Sequence, residues 1–223
     1  MREVSLHGKS PGMRAEDILS LVELAPELRD AAAERALGLD DGARFSSESP
    51  GPELIGFHSS ALSVVARVVL EVGLTPADVF VDLGAGRGKV VALVEALTGA
   101  RGRGIELQRE LVSSPARGVM LELGDARSTP LDDGTVFFLY APFIGTALGE
   151  VLMRLHAVAR RHAIVVCALG VTLPACDWLV PRELDAFWLT LFDSVVPGVA
   201  PRARSASNLP RDERLERLAH ERR

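Results

Sequence analysis

The chain has few of the residues on which metal sites and membrane anchors are built. Cysteine occurs only twice in 223 residues, at Cys167 and Cys176, and neither has a Cys or His at metal-ligand spacing. Cys167 sits in the apolar run 163–169, where a small buried thiol is the ordinary case. No role is assigned to either, and no metal is expected. No apolar run approaches the roughly 18 residues of a membrane span. Residues 1–12 are polar and lack the apolar stretch of a signal peptide, so the expectation is a soluble cytoplasmic protein with no membrane partner. Lysine is nearly missing, at Lys9 and Lys89 alone, and so Arg-heavy a usage looks like compositional bias. The net charge of -5 is unevenly placed, because residues 201–223 hold seven Arg against four acids, leaving the tail at about +3 and the body at about -8. An acidic body argues against a broad nucleic-acid footprint, so no nucleic-acid partner is expected.

What is present is enough apolar sequence, 48% of the chain, to bury one good core. The chain is organised around residues 79–91, where the apolar, β-branched run Val79, Phe80, Val81 ends in Asp82 and breaks into Gly84, Gly86 and Gly88 before apolar periodicity resumes at Val90. This pattern predicts a buried strand, a tight turn and a helix start. Gly84 and Gly86 let the backbone turn and approach a ligand, Gly88 lets the helix pack close to the sheet, and the first N–H groups of that helix face the ligand. Spacing separates the ligands that use such turns. A P-loop places glycine where Leu83 stands and Ser or Thr where Val90 stands, so that reading fails. A dinucleotide fingerprint places its third glycine where Lys89 stands, which disfavours a nicotinamide-dependent oxidoreductase. A carboxylate two residues before the first glycine suits a ligand that carries positive charge better than one that carries a pyrophosphate.

Along the chain, apolar spacing predicts a helix from Arg14 to Pro26 and a second over 27–37 closed by Gly38. A Gly, Ser, Pro and acid-rich loop over 40–52 leads through residues 53–60 into a buried helix over 61–72. After the central turn come a helix near 90–97 ended by Gly99, a strand over 102–106 ending in Glu106, and a helix over 107–117 that Pro115 shortens or bends. A strand over 119–126 then ends in Gly124, Asp125 and Ala126, and the most apolar strand, 136–140, ends in Tyr140. A helix over 148–159, a strand over 162–169 and a late strand region over 186–196 complete the domain, and 211–223 reads as a short charged helix or solvated tail. The βαβαβ alternation predicts an α/β, Rossmann-like, doubly wound and mainly parallel sheet with right-handed crossovers, in which ligands sit beyond the carboxyl ends of the strands. Asp82, Glu106, Asp125 and Tyr140 all fall at such ends and converge on one crevice. Glu106, at the tip of the second strand, is placed to accept both hydroxyls of a ribose.

The spacing D-x-G-x-G-x-G resembles motif I of the class I S-adenosylmethionine (SAM) methyltransferases. Within that superfamily, residues 49–56, the following helix and residues 78–84 are similar to the non-SET histone-lysine methyltransferases and their small bacterial relatives. The resemblance implies SAM as cofactor, held by Asp82, Gly84, Ala85, Gly86, Glu106, Leu107, Asp125, Ala126 and Tyr140, with Asp125 against the adenine amino group. Glu53 and His58 are lid candidates, and Tyr140 and His58 are the catalytic candidates. Amine methyltransferases of the superfamily place Asn or Asp at motif IV, where this chain has Ala141 before Pro142 and Phe143. Ala141 accepts no hydrogen bond from its side chain, which favours a small-molecule acceptor over protein lysine. The expected organisation is an N-terminal helical extension over 1–43 acting as a cover, a methyltransferase domain over 44–200 and a charged tail over 201–223. A protein-lysine methyltransferase and a non-catalytic module that binds SAM or its demethylated product are the alternatives.

Overall fold

The computed structural model describes Ile18, Leu21 and residues 26–41, 49–184, 186 and 188–202. Ile18 and Leu21 are helical, but the rest of the first expected helix, residues 1–12 and the charged tail lie outside the described residues. The helices are α1 (Pro26–Ala36), α2 (Leu62–Val72), α3 (Lys89–Thr98), α4 (Arg109–Val112) and α5 (Gly145–Ala159). Seven strands, β1 (Val79–Leu83), β2 (Arg101–Glu106), β3 (Leu121–Leu123), β4 (Val136–Tyr140), β5 (Val165–Leu169), β6 (Leu179–Pro181) and β7 (Leu189–Ser194), form one sheet in the order β3-β2-β1-β4-β5-β7-β6. Strands β1 to β5 pair in parallel, and β7 runs antiparallel to both β5 and β6.

The central strands are apolar on both faces because both faces are covered. Alternation sends Phe80 and Phe138 to the side packed by α1, α2 and α3, where Ala33, Leu37, Val65, Val69 and Leu93 meet them. Val81, Phe137 and Leu139 go to the other side, against Val151 and Leu155 of α5 and Trp178. Helices α2 and α3 stop where Gly73 and Gly99 take up left-handed φ values of 66° and 70° and return their N–H groups to Val69 and Glu95. Pro26 opens α1, a position where its missing N–H costs nothing.

Three elements depart from the sequence reading. The helix expected over 107–117 is the single turn α4, because beyond it Ala116 donates its N–H to the Arg87 carbonyl at 2.7 Å and draws the chain away. The strand expected over 119–126 pairs only over Leu121–Leu123, since it lies at the sheet edge with β2 as its one neighbour. The antiparallel edge strand β6 was not anticipated. At three residues ending in Pro181 it is too short for alternation to show.

Candidate active site

The glycine turn lies between β1 and α3, at the point where the sheet order reverses. Gly86 has φ +56°, and a Cβ there would stand 2.5 Å from Phe57 Cε2, so the turn is glycine because an aromatic ring of the preceding segment lies on it. Gly88 has φ +81° and approaches Val119 and Leu121, which is the close helix-to-sheet packing expected of it. Above the turn is a cavity of about 260 Å³. All ten residues expected at the site line it, from Asp82 on β1 through Glu106 on β2 and Asp125 after β3 to Tyr140 on β4, with His58 on the opposite wall. Residues 54–60 form that wall. They are tied to the loop after β4 by a Leu54 to Phe143 bridge, by the Ile55 N–H donating to Pro142 O at 3.1 Å, and by the Ile144 N–H donating to Glu53 O at 2.9 Å.

The floor of the cavity is acidic. Asp82 is 2% exposed and has no hydrogen-bond partner among the described residues. Burial, with the nearby Glu106 charge added, pushes its carboxyl up to about 8. Glu106 accepts the Gly86 N–H and the Gln108 N–H, both at 2.8 Å, one on each oxygen. Burial raises its pKa, and those N–H groups act against the rise. Asp125 is held differently. Arg127 grips both its oxygens, with Nη2 to Oδ2 at 2.7 Å, and keeps its carboxyl below the usual range despite partial burial. Tyr140 and His58 are neighbours, with ring centroids 6.4 Å apart. His162 lies away from this pair, engaged with the Gly134 carbonyl at 2.9 Å.

Two residues singled out in the sequence lie elsewhere. Glu53 is not on the cavity wall; its Oε2 accepts the Ala147 N–H at 2.9 Å in the first turn of α5, where a carboxylate complements the helix dipole. Ala141 is also off the wall, while Pro142 and Phe143 are on it. Its φ of +39° is one that residues with a Cβ rarely adopt, and Asn and Asp tolerate it best. Sequence reasoning missed Glu34, Phe57 and Ser60, which also line the cavity, and it saw Lys89 only as a departure from a motif. The available signal was Asp30 and Glu34, four residues apart on one helix face in a chain with almost no lysine to pair them.

The strand order with β7 reversed, together with an acid-led glycine turn at the switch point, defines the class I SAM-dependent methyltransferase fold. The chain has that fold. Residues 51–121 match the sequence model of the family described as Histone methylation protein DOT1. No curated protein matches the chain. Among solved structures, an RNA methyltransferase from Salinibacter ruber in complex with S-adenosyl-L-homocysteine (SAH) is 22% identical, over 66% of this chain and 99% of that one, with a TM-score of 0.47. The mitomycin 7-O-methyltransferase MmcR is 14% identical over 79% and 60%, also at 0.47. A geranyl diphosphate C-methyltransferase from Streptomyces coelicolor A3(2) is 19% identical over 69% and 65%, at 0.41. Other solved structures are matched over about half of their own length, 49% and 50% in two cases. No helix among the described residues is long and apolar enough to cross a membrane.

Proposed function

We propose that the cavity binds SAM and that the protein transfers its methyl group to a small-molecule acceptor. The observation that carries this reading is Asp82, a buried carboxylate with no partner among the described residues, set beside a glycine turn and one strand away from a second buried carboxylate. A lone buried carboxylate calls for a cation or a donor, and SAM brings an ammonium. Each Glu106 oxygen already accepts one backbone N–H and keeps acceptor capacity for a ribose hydroxyl. Ala85, Leu107 and Ala126 offer the apolar surface that an adenine ring needs, with Asp125 at its edge. Residues 49–60, backed by the N-terminal extension, serve as the cover over this site.

SAM supplies a methyl group made electrophilic by its sulfonium. The protein's part is alignment, for which effective molarities allow about 7–11 kcal/mol. Phe143 and Pro142 shape the wall at the end of β4, where an acceptor is held, and the cover excludes water. His58 takes the proton from an O–H or N–H acceptor, with the Tyr140 hydroxyl beside it. Such a base contributes about 10²–10⁴-fold.

A small acceptor is favoured because the loop after β4 offers little to an amine. Ala141 has no side-chain acceptor, and the Pro142 carbonyl already receives the Ile55 N–H. Protein lysine is the second reading, favoured by the family match. That match ends at residue 121, before Asp125 and β4, and so takes in Asp82 to Leu107 but none of the wall at the end of β4. The test begins with calorimetric titration of SAH, where no binding by the folded protein overturns the reading. Labelled SAM is then added with a cell extract, which is separated by size. Label in the low-mass fraction supports a small acceptor, label in protein supports the second reading, and SAH binding without transfer makes the chain a binding module.

A further inference from the structure

Lys89 is the first residue of α3, and its side chain is 7% exposed. An ammonium there faces the positive end of a helix dipole, which by itself is unfavourable. Two carboxylates reverse the local charge. Lys89 Nζ lies 3.1 Å from Asp30 Oδ1 and 2.9 Å from Glu34 Oε1, both on α1. The same two side chains also hold the start of α2 and the cover. Asp30 Oδ1 accepts the Leu62 N–H at the start of α2 at 2.7 Å, and Glu34 Oε1 accepts the Ser59 hydroxyl of the cover at 3.0 Å. Beyond Gly88, the buried Arg87 donates to both Asp41 oxygens, at 3.1 and 2.6 Å, and to the Leu39 carbonyl at 3.2 Å. The C-terminal end of the glycine turn therefore carries two cations, one on each side of Gly88, and both are tied to residues 30–41.

We propose that α1 positions the cofactor turn through an Asp30–Lys89–Glu34 clamp, so that cofactor affinity depends on carboxylates of the N-terminal extension. The proposal rests on the SAM reading above. A turn built on alternate glycines has little conformational preference of its own, and its N–H groups must be aimed before they bind anything. The sheet fixes one end of this turn at Asp82. The clamp fixes the other, at the start of α3, and brings α2 and the cover to the same point. Asp30 acts as a positioning residue, since Glu34, Ser59 and Lys89 line the cavity and Asp30 does not.

Asp30→Asn is the discriminating variant. The amide oxygen still accepts the Leu62 N–H, but one of the two charges facing Lys89 is gone. We expect SAH affinity to fall at least fivefold by calorimetry, and amide exchange across residues 84–90 to quicken at least tenfold without ligand, while exchange in β4 and β5 stays as in the wild type. The triple variant D30N/E34Q/K89M removes every charge and keeps the shape, so it tests the clamp should the single variant fail to fold; it should show the same two changes. Wild-type SAH affinity in a folded variant overturns the proposal, and a fall in stability alone makes α1 mere packing. If the wild-type protein itself fails to bind SAH, the SAM reading is what fails, and exchange at 84–90 still decides whether the clamp positions the turn.

Discussion

Replacing Asp82 with Asn should make the protein more stable and less able to bind its cofactor. The carboxyl of Asp82 is pushed from 3.8 up to about 8 by burial, with the Glu106 charge added. Between those two values the folded protein holds a proton that the unfolded chain has already lost. Stability therefore falls as pH rises through that window, by about 1.4 kcal/mol for each pH unit. The loss is on the order of 5 kcal/mol by pH 8. In Asp82→Asn the site stays neutral at every pH, so the variant's advantage should be small near pH 4 and grow steadily to pH 8. For a chain of this size that corresponds to on the order of 10 °C in Tm. The assay is thermal melting of both proteins without ligand from pH 5 to pH 9. Calorimetry supplies the matching half. Wild-type Asp82 is mostly protonated at pH 7 when free, and a bound ammonium holds it ionised, so SAH binding should release close to one proton, and none above pH 9. Asp82→Asn should release none at any pH and bind at least tenfold more weakly. Equal pH profiles of stability would refute the burial argument, and equal affinity would refute the placement of Asp82 against the cofactor.

Glu106→Gln should lower SAH affinity by about 1.5–3 kcal/mol, the range for hydrogen bonds to a charged group, with the far-ultraviolet spectrum unchanged; an unaltered titration would remove Glu106 from the ribose. Gly86→Val puts a branched side chain at φ +56° and against Phe57, so binding should be lost and the melting temperature should fall. A folded Gly86→Val protein with normal affinity would leave the turn without a ligand role. At the other end of the chain, Arg202 holds the buried Asp78 with Nη2 to Oδ2 at 2.8 Å. Although burial pushes the Asp78 carboxyl up, Arg202 and the Thr75 N–H bring it below its ordinary value. That stabilisation is present above pH 3.8 and is lost as pH falls through the lowered value. Arg202→Ala should cost about 3 kcal/mol in urea unfolding at pH 7, and a loss below 0.5 kcal/mol would make the pair incidental.

The sequence by itself determined the parts whose physics is local. The β4 strand was legible to the residue, and the start of β1 likewise, because runs of Val, Phe and Leu buried on both faces leave no alternation to misread. The glycine turn was legible because three residues with φ above +50° have almost no other composition open to them. Chain order then sufficed to bring Asp82, Glu106, Asp125 and Tyr140 together, because right-handed crossovers put consecutive strand tips on one edge. Only the tertiary structure decided what each of those groups touches. Glu106 is tied to two backbone N–H groups and Asp125 is gripped by Arg127. Asp82 is left with no partner among the described residues, and no spacing rule distinguishes these three fates for three carboxylates at three strand ends. Glu53 and Ala141 moved off the site for the same reason, since which way a loop residue faces is set by the bridge between residues 54 and 143, a pairing across 89 positions. Lys89 shows the limit most clearly. Its neighbours in sequence made it an exception to a motif, and only packing, by bringing α1 beside the start of α3, made it the cation on which that helix and the glycine turn are held.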